Sequence, residues 1–294
     1  MKPTMIALQL GGLAATALTE GCSGKVMGIT SRGVFLITGE RILFVTDADY
    51  RSPYNIQVYI TPGQFTPFTP GDDWTFSQGM LTFQSINIRI DISNTTLWQP
   101  EKSPKIETTL TDQSRRMDAL LQRMISLDPD KGWLYLANPS VLVAGSEASI
   151  IREMTDRFVA CVIKSDLEGA LQAGRSILGR GGGLTPSGDD WLSGFLLYFA
   201  RTNQASAFIR SLGQSLSTMA FESTTKISAN RIEAASLGWS EALFLELVDS
   251  LLVSDAGISD LTIEHLINFG HSSGVDTCVG VGAAVQSMEH GGIR

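Results

Sequence analysis

The stretch Gly179–Gly194, GRGGGLTPSGDDWLSG, constrains this chain more than any other, because it reads as a glycine-rich loop feeding a helix. Gly179, Gly181, Gly182 and Gly183 permit backbone conformations and close approaches that side chains forbid, so bare peptide N–H groups can face a ligand there. Pro186 fixes the chain ahead of the helix, Ser187 takes the expected N-cap and Asp190 the capping-box position. Trp191, Leu192, Phe195, Leu196 and Phe199 supply an apolar stripe. A helix start attracts anions, yet this one carries two carboxylates, Asp189 and Asp190. Either they cap the helix, or an anion binds beside them with a divalent, oxygen-loving cation offsetting the charge.

An echo lies near the C-terminus. Ser187, Gly188, Asp190 and Gly194 have the spacing SGxDxxxG, and so do Ser273, Gly274, Asp276 and Gly280. In both, the glycine follows the aspartate by one helical turn on the same face. It leaves room for a close helix crossing or for a ligand, and both readings stand.

With 294 residues the chain is long enough for two domains, and 43% hydrophobic with 18% charged residues is the balance of a globular protein. A net charge of -8 argues against nucleic acid or an anionic membrane as partner. Cys22, Cys161 and Cys278 are odd in number and unpatterned, which fits a reducing compartment. The apolar N-terminus has one early lysine, an interrupting Gln9 and Glu20 ahead of Gly21-Cys22, so export is not expected and a cytoplasmic location is.

Along the chain, Met5 to Leu18 reads as a helix with Ile6, Leu10, Leu13, Ala14 and Ala17 on one face. Residues 34–37 and 42–45 flank a turn at 38–41 as a hairpin, and Ile56 to Ile60 reads as a short strand. Ser85 to Ser93 alternates as a half-buried strand, and a loop runs from Thr61 to Asp73. Thr69-Pro70-Gly71-Asp72-Asp73-Trp74 resembles 185–191, but it sits among strands and reads as turn chemistry. Pro100 and Pro104 mark a linker, beyond which the period changes to that of helices. The expectation is an α+β protein, with a β-rich domain over 1–105 and a mostly helical domain over 106–294. The expected helices cover 112–127, 148–163, 166–178, 187 onward, 204–219, 227–237, 240–252, 259–269 and 275–288.

Three loop-to-helix junctions in the helical half are polar. The candidate anion-binding residues are Gly181, Gly182, Gly183, Thr185, Ser187 and Gly188 in the first, Thr225, Lys226 and Ser228 in the second, and Ser273 and Gly274 in the third. Lys226 is the nearest counter-charge in sequence, unless it is a solvated surface lysine. His271 is a candidate acid, base or anion donor, or else bonds a helix-end carbonyl. Asp190 and Asp276 are the candidate catalytic or orienting carboxylates, and with Asp189 they form the candidate Mg2+ set. No GxSxG elbow, P-loop or dinucleotide fingerprint occurs.

The run Gly183 to Asp190, the segment Thr225 to Ser228, and Gly270 to Asp276 with Gly280 occur in the order seen in the AllH-like family, which this chain resembles over its C-terminal half. Its loop begins Gly179-Arg180-Gly181-Gly182 where relatives often carry a proline. The resemblance implies a subunit of oxamate carbamoyltransferase in allantoin and purine breakdown, acting with other protein subunits. The reaction would be phosphorolysis of oxalurate to oxamate and carbamoyl phosphate, or its reverse. Ser223-Thr224-Thr225-Lys226 is only a faint parallel of the serine-threonine-arginine-threonine loop of ordinary carbamoyltransferases. Two rival readings remain: a non-catalytic partner subunit, and an independent Mg2+-dependent enzyme acting on a phosphorylated metabolite.

Overall fold

The computed structural model describes residues 4–59, 65, 67–138, 146–202, 206–255 and 257–291. Ile60, the start of the loop expected from Thr61, and Gln204 lie outside them. The fold is mixed α+β, and it divides into two compact units, 1–101 and 102–294.

The first unit is a β-barrel. Its elements are β1 (Thr4–Gly11), α1 (Gly12–Ala17), β2 (Ser23–Thr30), β3 (Gly33–Thr38), β4 (Arg41–Thr46), β5 (Asn55–Tyr59), β6 (Asp73–Ser77), β7 (Met80–Phe83), β8 (Arg89–Asp91) and β9 (Thr96–Trp98). The strands run β5-β4-β3-β2-β6-β7-β8-β1-β9, and β1 also pairs with β5, which closes eight of them into a ring. Closure leaves the ring no open edge. Alternate residues fill the interior, among them Val34 and Leu36, Leu43 and Val45, Ile56 and Val58, and Trp74, Leu81 and Phe83. The β3–β4 hairpin turns at Gly39-Glu40 with Gly39 at φ +55, a conformation glycine adopts without strain.

Three expectations in this unit are corrected or settled. Met5 to Leu18 is not one helix. Residues 4–11 form β1, with Met5 and Ala7 inward and Ile6 and Leu8 outward, and only Gly12–Ala17 are helical. The run MIALQL fits either period, and pairing with β5 on one side and β8 and β9 on the other decides it. The strand expected over Ser85 to Ser93 pairs only at Arg89–Asp91, because Asn87 turns the chain at φ +57. The segment at 69–74 is a turn: Asp72 accepts from the Thr69 N–H at 2.9 Å and from the Ser85 hydroxyl at 2.6 Å.

The second unit holds α2 (Leu110–Leu127), a short 3-10 turn at Leu134–Ala137, α3 (Glu147–Ile163), α4 (Leu167–Ile177), α5 (Ser187–Arg201), α6 (Ala207–Ser223), α7 (Lys226–Ser236), α8 (Ala242–Leu252), α9 (Asp260–Ile267) and α10 (Ser273–Gly291). Side-chain oxygens cap several of these: Thr109 caps α2, Ser146 α3, Asp166 α4, Ser206 α6, Thr225 α7 and Ser259 α9. Helix α5 is buried around its whole circumference from Gly188 to Phe199, as a central helix must be. Trp191 stacks on Phe195 with centroids 5.5 Å apart, and Phe158 meets both edge-on. The most extensive helix pairing of the unit is α5 against α10.

Candidate functional site

The two SGxDxxxG segments meet in a reciprocal crossing of α5 and α10. A Cβ at Gly194 would run into the Thr277 carbonyl, 2.9 Å from its carbon, and one at Gly280 would run into the Trp191 carbonyl, 2.8 Å from its carbon. Thr277 and Trp191 are the residues that follow Asp276 and Asp190. Each glycine therefore seats the first turn of the other helix. The serines cross over as well: the Ser273 hydroxyl favours the ionised form of Asp190, and that of Ser187 does the same for Asp276. Gly188 packs on the Ile177 carbonyl at the end of α4, and Gly274 packs on that of Leu266 at the end of α9. The echo is thus a helix–loop–helix unit used twice, and the close crossing it permits is realised.

The aspartates serve as tethers. Asp189 accepts from the Gly179 N–H at 2.7 Å through one oxygen and from the Thr224 hydroxyl through the other, so it fastens the start of the glycine-rich loop to the α6–α7 junction. Asp190 pairs with Arg231 of α7, whose Nε also stands 3.3 Å from Glu241. Asp276 accepts from the Trp133 N–H at 2.7 Å, beside Gly132, whose missing Cβ makes room for that carboxylate. Ser187 is not the N-cap of α5: Pro186 holds that place with no side-chain cap, because the side chains available turn inward instead.

This charge is deeply placed. Asp189 and Asp190 are 1% exposed and Asp276 is 0%. Burial pushes the Asp190 carboxyl up to about 7, against the pull of Arg231, and the nearby Asp276 carboxylate adds to the rise. Burial likewise raises Asp276, with the Ser187 hydroxyl and the Trp133 N–H opposing, and raises Asp189, with the Gly179 N–H opposing. One buried guanidinium faces two carboxylates, which gives the pocket reason to keep a proton. Among the described residues, Asp190 Oδ2 and Asp276 Oδ2 find no hydrogen-bond partner. Among the described residues no group of three or more His, Cys, Asp or Glu side chains could hold a metal. Mg2+ takes near-octahedral oxygens with several waters, and two enclosed oxygens do not offer that set.

The loops above the aspartates are open. Gly181, Gly182, Gly183 and Leu184 are exposed and Thr185 is half-buried, with Gly181 at φ +113 and Gly183 at φ +89. Among the described residues no protein acceptor takes the N–H of any of these five. The same holds for Gly270, His271 and Ser272 before α10. The Thr185 and Ser273 hydroxyls lie 2.7 Å apart and join the two loops. Two runs of free donors thus flank one hydroxyl pair at two adjacent helix starts, an arrangement suited to small anions.

Of the residues singled out in the sequence, Gly181, Gly182, Gly183, Thr185, Ser187, Gly188, Ser273, Gly274, Asp190 and Asp276 come together at this crossing. His271 is exposed in the second loop, where its charge lowers the pKa of Asp276. The second junction plays another part. Thr225 caps α7 and donates to the Leu184 carbonyl at 2.6 Å, and the buried Ser228 hydroxyl lies beside Asp189. Lys226 does not meet the aspartates: its Nζ donates to the Phe221 carbonyl at 3.2 Å and lies over that ring. The cation that pairs with Asp190 is Arg231, which sequence reasoning missed, along with Trp133, whereas Thr224 was read only as one of the hydroxyls of the second junction. No local pattern marks Arg231, because the run from Ile227 to Ala235 also carries Asn230 and Glu233.

Residues 177–285 match the sequence model of a family described as Oxamate carbamoyltransferase subunit AllH. The matched span contains both loops and the α5–α10 crossing, and it supports an AllH-like assignment. No curated protein and no solved structure gives a significant match. Among the described residues no helix is long and apolar enough to cross a membrane.

Proposed function

Taking the AllH-like assignment of residues 177–285 as premise, we propose that this chain is a carbamoyltransferase subunit that holds a small anion at the paired loops before α5 and α10. The observation that carries the reading is the run of unengaged N–H groups from Gly181 to Thr185, joined through Thr185 and Ser273 to a second run before α10. The anion would be phosphate or carbamoyl phosphate beside oxamate or oxalurate, with other protein subunits completing the enzyme. In the phosphorolytic direction a phosphate oxygen attacks the carbamoyl carbon of oxalurate. The bond from that carbon to the oxamate nitrogen breaks, and the nitrogen leaves with a proton. Backbone donors fixed before the reaction stabilise the negative charge that gathers on the attacked group. His271, exposed beside the second loop, is the group placed to carry the proton.

Asp190 and Asp276 are positioning residues in this reading, since their depth keeps them from the reacting atoms while they fix where the two helices begin. No step runs through Mg2+. The same depth favours, as a second reading, a subunit that binds the anion or a partner chain and leaves the chemistry elsewhere.

The test is a thermal-shift titration of the purified chain with phosphate, carbamoyl phosphate, oxamate and oxalurate, each with and without Mg2+. A ligand at a hundred times its dissociation constant adds about 2.7 kcal/mol, several degrees for a unit of this size. A shift with carbamoyl phosphate or phosphate that Thr185→Val diminishes supports the site. No shift with any of the four sinks anion binding by this chain and leaves the second reading as a subunit that binds its partner chains.

A further inference from the structure

Arg180 stands inside the glycine-rich loop, immediately ahead of the free N–H run from Gly181 to Thr185. Its backbone is fixed on both sides: the N–H donates to the Ile177 carbonyl at 3.0 Å, and the carbonyl accepts from the Gly188 N–H at 2.9 Å. The preceding residue is held as well, since the Gly179 N–H donates to Asp189 at 2.7 Å. The main chain at Arg180 is therefore anchored between the end of α4 and the start of α5.

The side chain is engaged by nothing. Five arginines of the helical unit are described as buried or half-buried: Arg116, Arg152, Arg180, Arg201 and Arg231. Arg116 donates to the carbonyls of Ser250, Val253 and Ser254, and Arg152 to those of Tyr135 and Leu136. Arg201 pairs with Asp249 and Arg231 with Asp190. Among the described residues no carboxylate, carbonyl or ring engages the guanidinium of Arg180, although it is half-buried like Arg116 and Arg152.

The charges under the loop give that free guanidinium a task. Asp189, Asp190 and Asp276 are buried there, and Arg231 is shared between Asp190 and Glu241. An anion at the two helix starts meets their negative field, which backbone N–H groups oppose with partial charges only. A full positive charge beside those donors is needed, and arginine carries one at any working pH. Its planar fork also matches two oxygens of a phosphoryl group. The second run, Gly270-His271-Ser272, contains no arginine or lysine.

Resting on the anion reading of these loops, we infer that Arg180 is the counter-cation of the site and sets which way the ligand lies. The doubly charged phosphoryl group takes the side of Arg180 and the N–H groups of Gly181 to Gly183. The carbamoyl end then faces Ser273 and His271 at the start of α10.

The experiment is isothermal titration calorimetry of the full chain with phosphate, carbamoyl phosphate and methanesulfonate, a singly charged ion of similar shape. The wild-type chain should bind the two phosphoryl ligands more tightly than methanesulfonate. Arg180→Gln should weaken both by about tenfold or more, the worth of a hydrogen bond to a charged group, and methanesulfonate by much less. The melting temperature should not change, because the backbone anchors do not involve the side chain. Arg180→Lys keeps the charge without the fork and should fall between the two. Binding that Thr185→Val weakens and Arg180→Gln leaves unchanged would overturn the role of Arg180 while keeping the anion site. Loss of all three ligands alike with a lowered melting temperature would make Arg180 structural and overturn it too. No binding by the wild-type chain would overturn both readings.

Discussion

Replacing Gly194 by alanine tests the reciprocal crossing on which the paired loops depend. In an ordinary helix the change would stabilise by about 1 kcal/mol, because alanine is the better helix former. Here the new Cβ would collide with the Thr277 carbonyl, 2.9 Å from its carbon, where ordinary contact begins at 3.4 Å. A backbone carbonyl cannot swing aside as a side chain can, so α5 and α10 must part by at least the half ångström between those two distances. Overpacking of this kind costs about 1–3 kcal/mol and sometimes more, and a backbone clash belongs at the upper end. Net of the helix-propensity gain, Gly194→Ala should destabilise by about 2 kcal/mol, a fall of roughly 4–8 °C in melting temperature. Gly280→Ala, whose Cβ meets the Trp191 carbonyl in the same way, should cost a similar amount. The double variant should cost less than the sum, since one parting of the helices relieves both clashes. Gly182→Ala is the control, for its Cβ would meet nothing within 4 Å. Urea denaturation of the four variants decides the matter. Gly194→Ala at or above wild-type stability, or strict additivity in the pair, would refute the crossing geometry.

Other consequences concern the buried charge. Arg231→Met strands Asp190 and Glu241 without their cation and should cost about 3–5 kcal/mol in urea denaturation, whereas Lys226→Met, remote from the aspartates, should cost under about 1 kcal/mol. The folded protein holds the Asp190 proton more tightly than the unfolded chain does, so its contribution is fully present below about pH 4 and is lost as pH rises through about 7. Asp190→Asn should therefore flatten part of the stability loss across that window, and parallel wild-type and variant curves would contradict the assignment. Asp189→Ala leaves the Gly179 N–H and the Thr224 hydroxyl without their acceptor, at a cost of about 2–4 kcal/mol, with hydrogen exchange at Gly179 accelerated relative to wild type.

What could be read in advance followed the range of the interactions responsible. The β3–β4 hairpin is encoded locally by alternation and a Gly-Glu turn, and the helix starts near Asp166 and Ser259 by polar residues at the head of a periodic run. The identity of β1 was hidden because Met5 to Leu10 satisfies either period, and its partners lie about 50 to 90 residues away in the chain. The SGxDxxxG echo was visible, and so was the choice between packing and ligand that it posed, but only the crossing shows each glycine lying against the backbone of the opposite helix. Capping and cation binding were the two roles the sequence offered the aspartates. Instead α5 is central, so its first turn is interior and its carboxylates reach other loops. Arg231 could not be paired with Asp190 by sequence alone, since 41 residues separate them and nothing local links them.

The most direct measurement of the central claim is an amide chemical-shift titration of the chain labelled with 15N-glycine, using carbamoyl phosphate and then phosphate. The resonances of Gly181, Gly182 and Gly183, with Gly270 across the hydroxyl pair, should move together along one saturable curve, and Thr185→Val should weaken that curve. Shifts confined to glycines outside these loops, or none at saturating ligand, would contradict the assignment of the paired helix starts as an anion site.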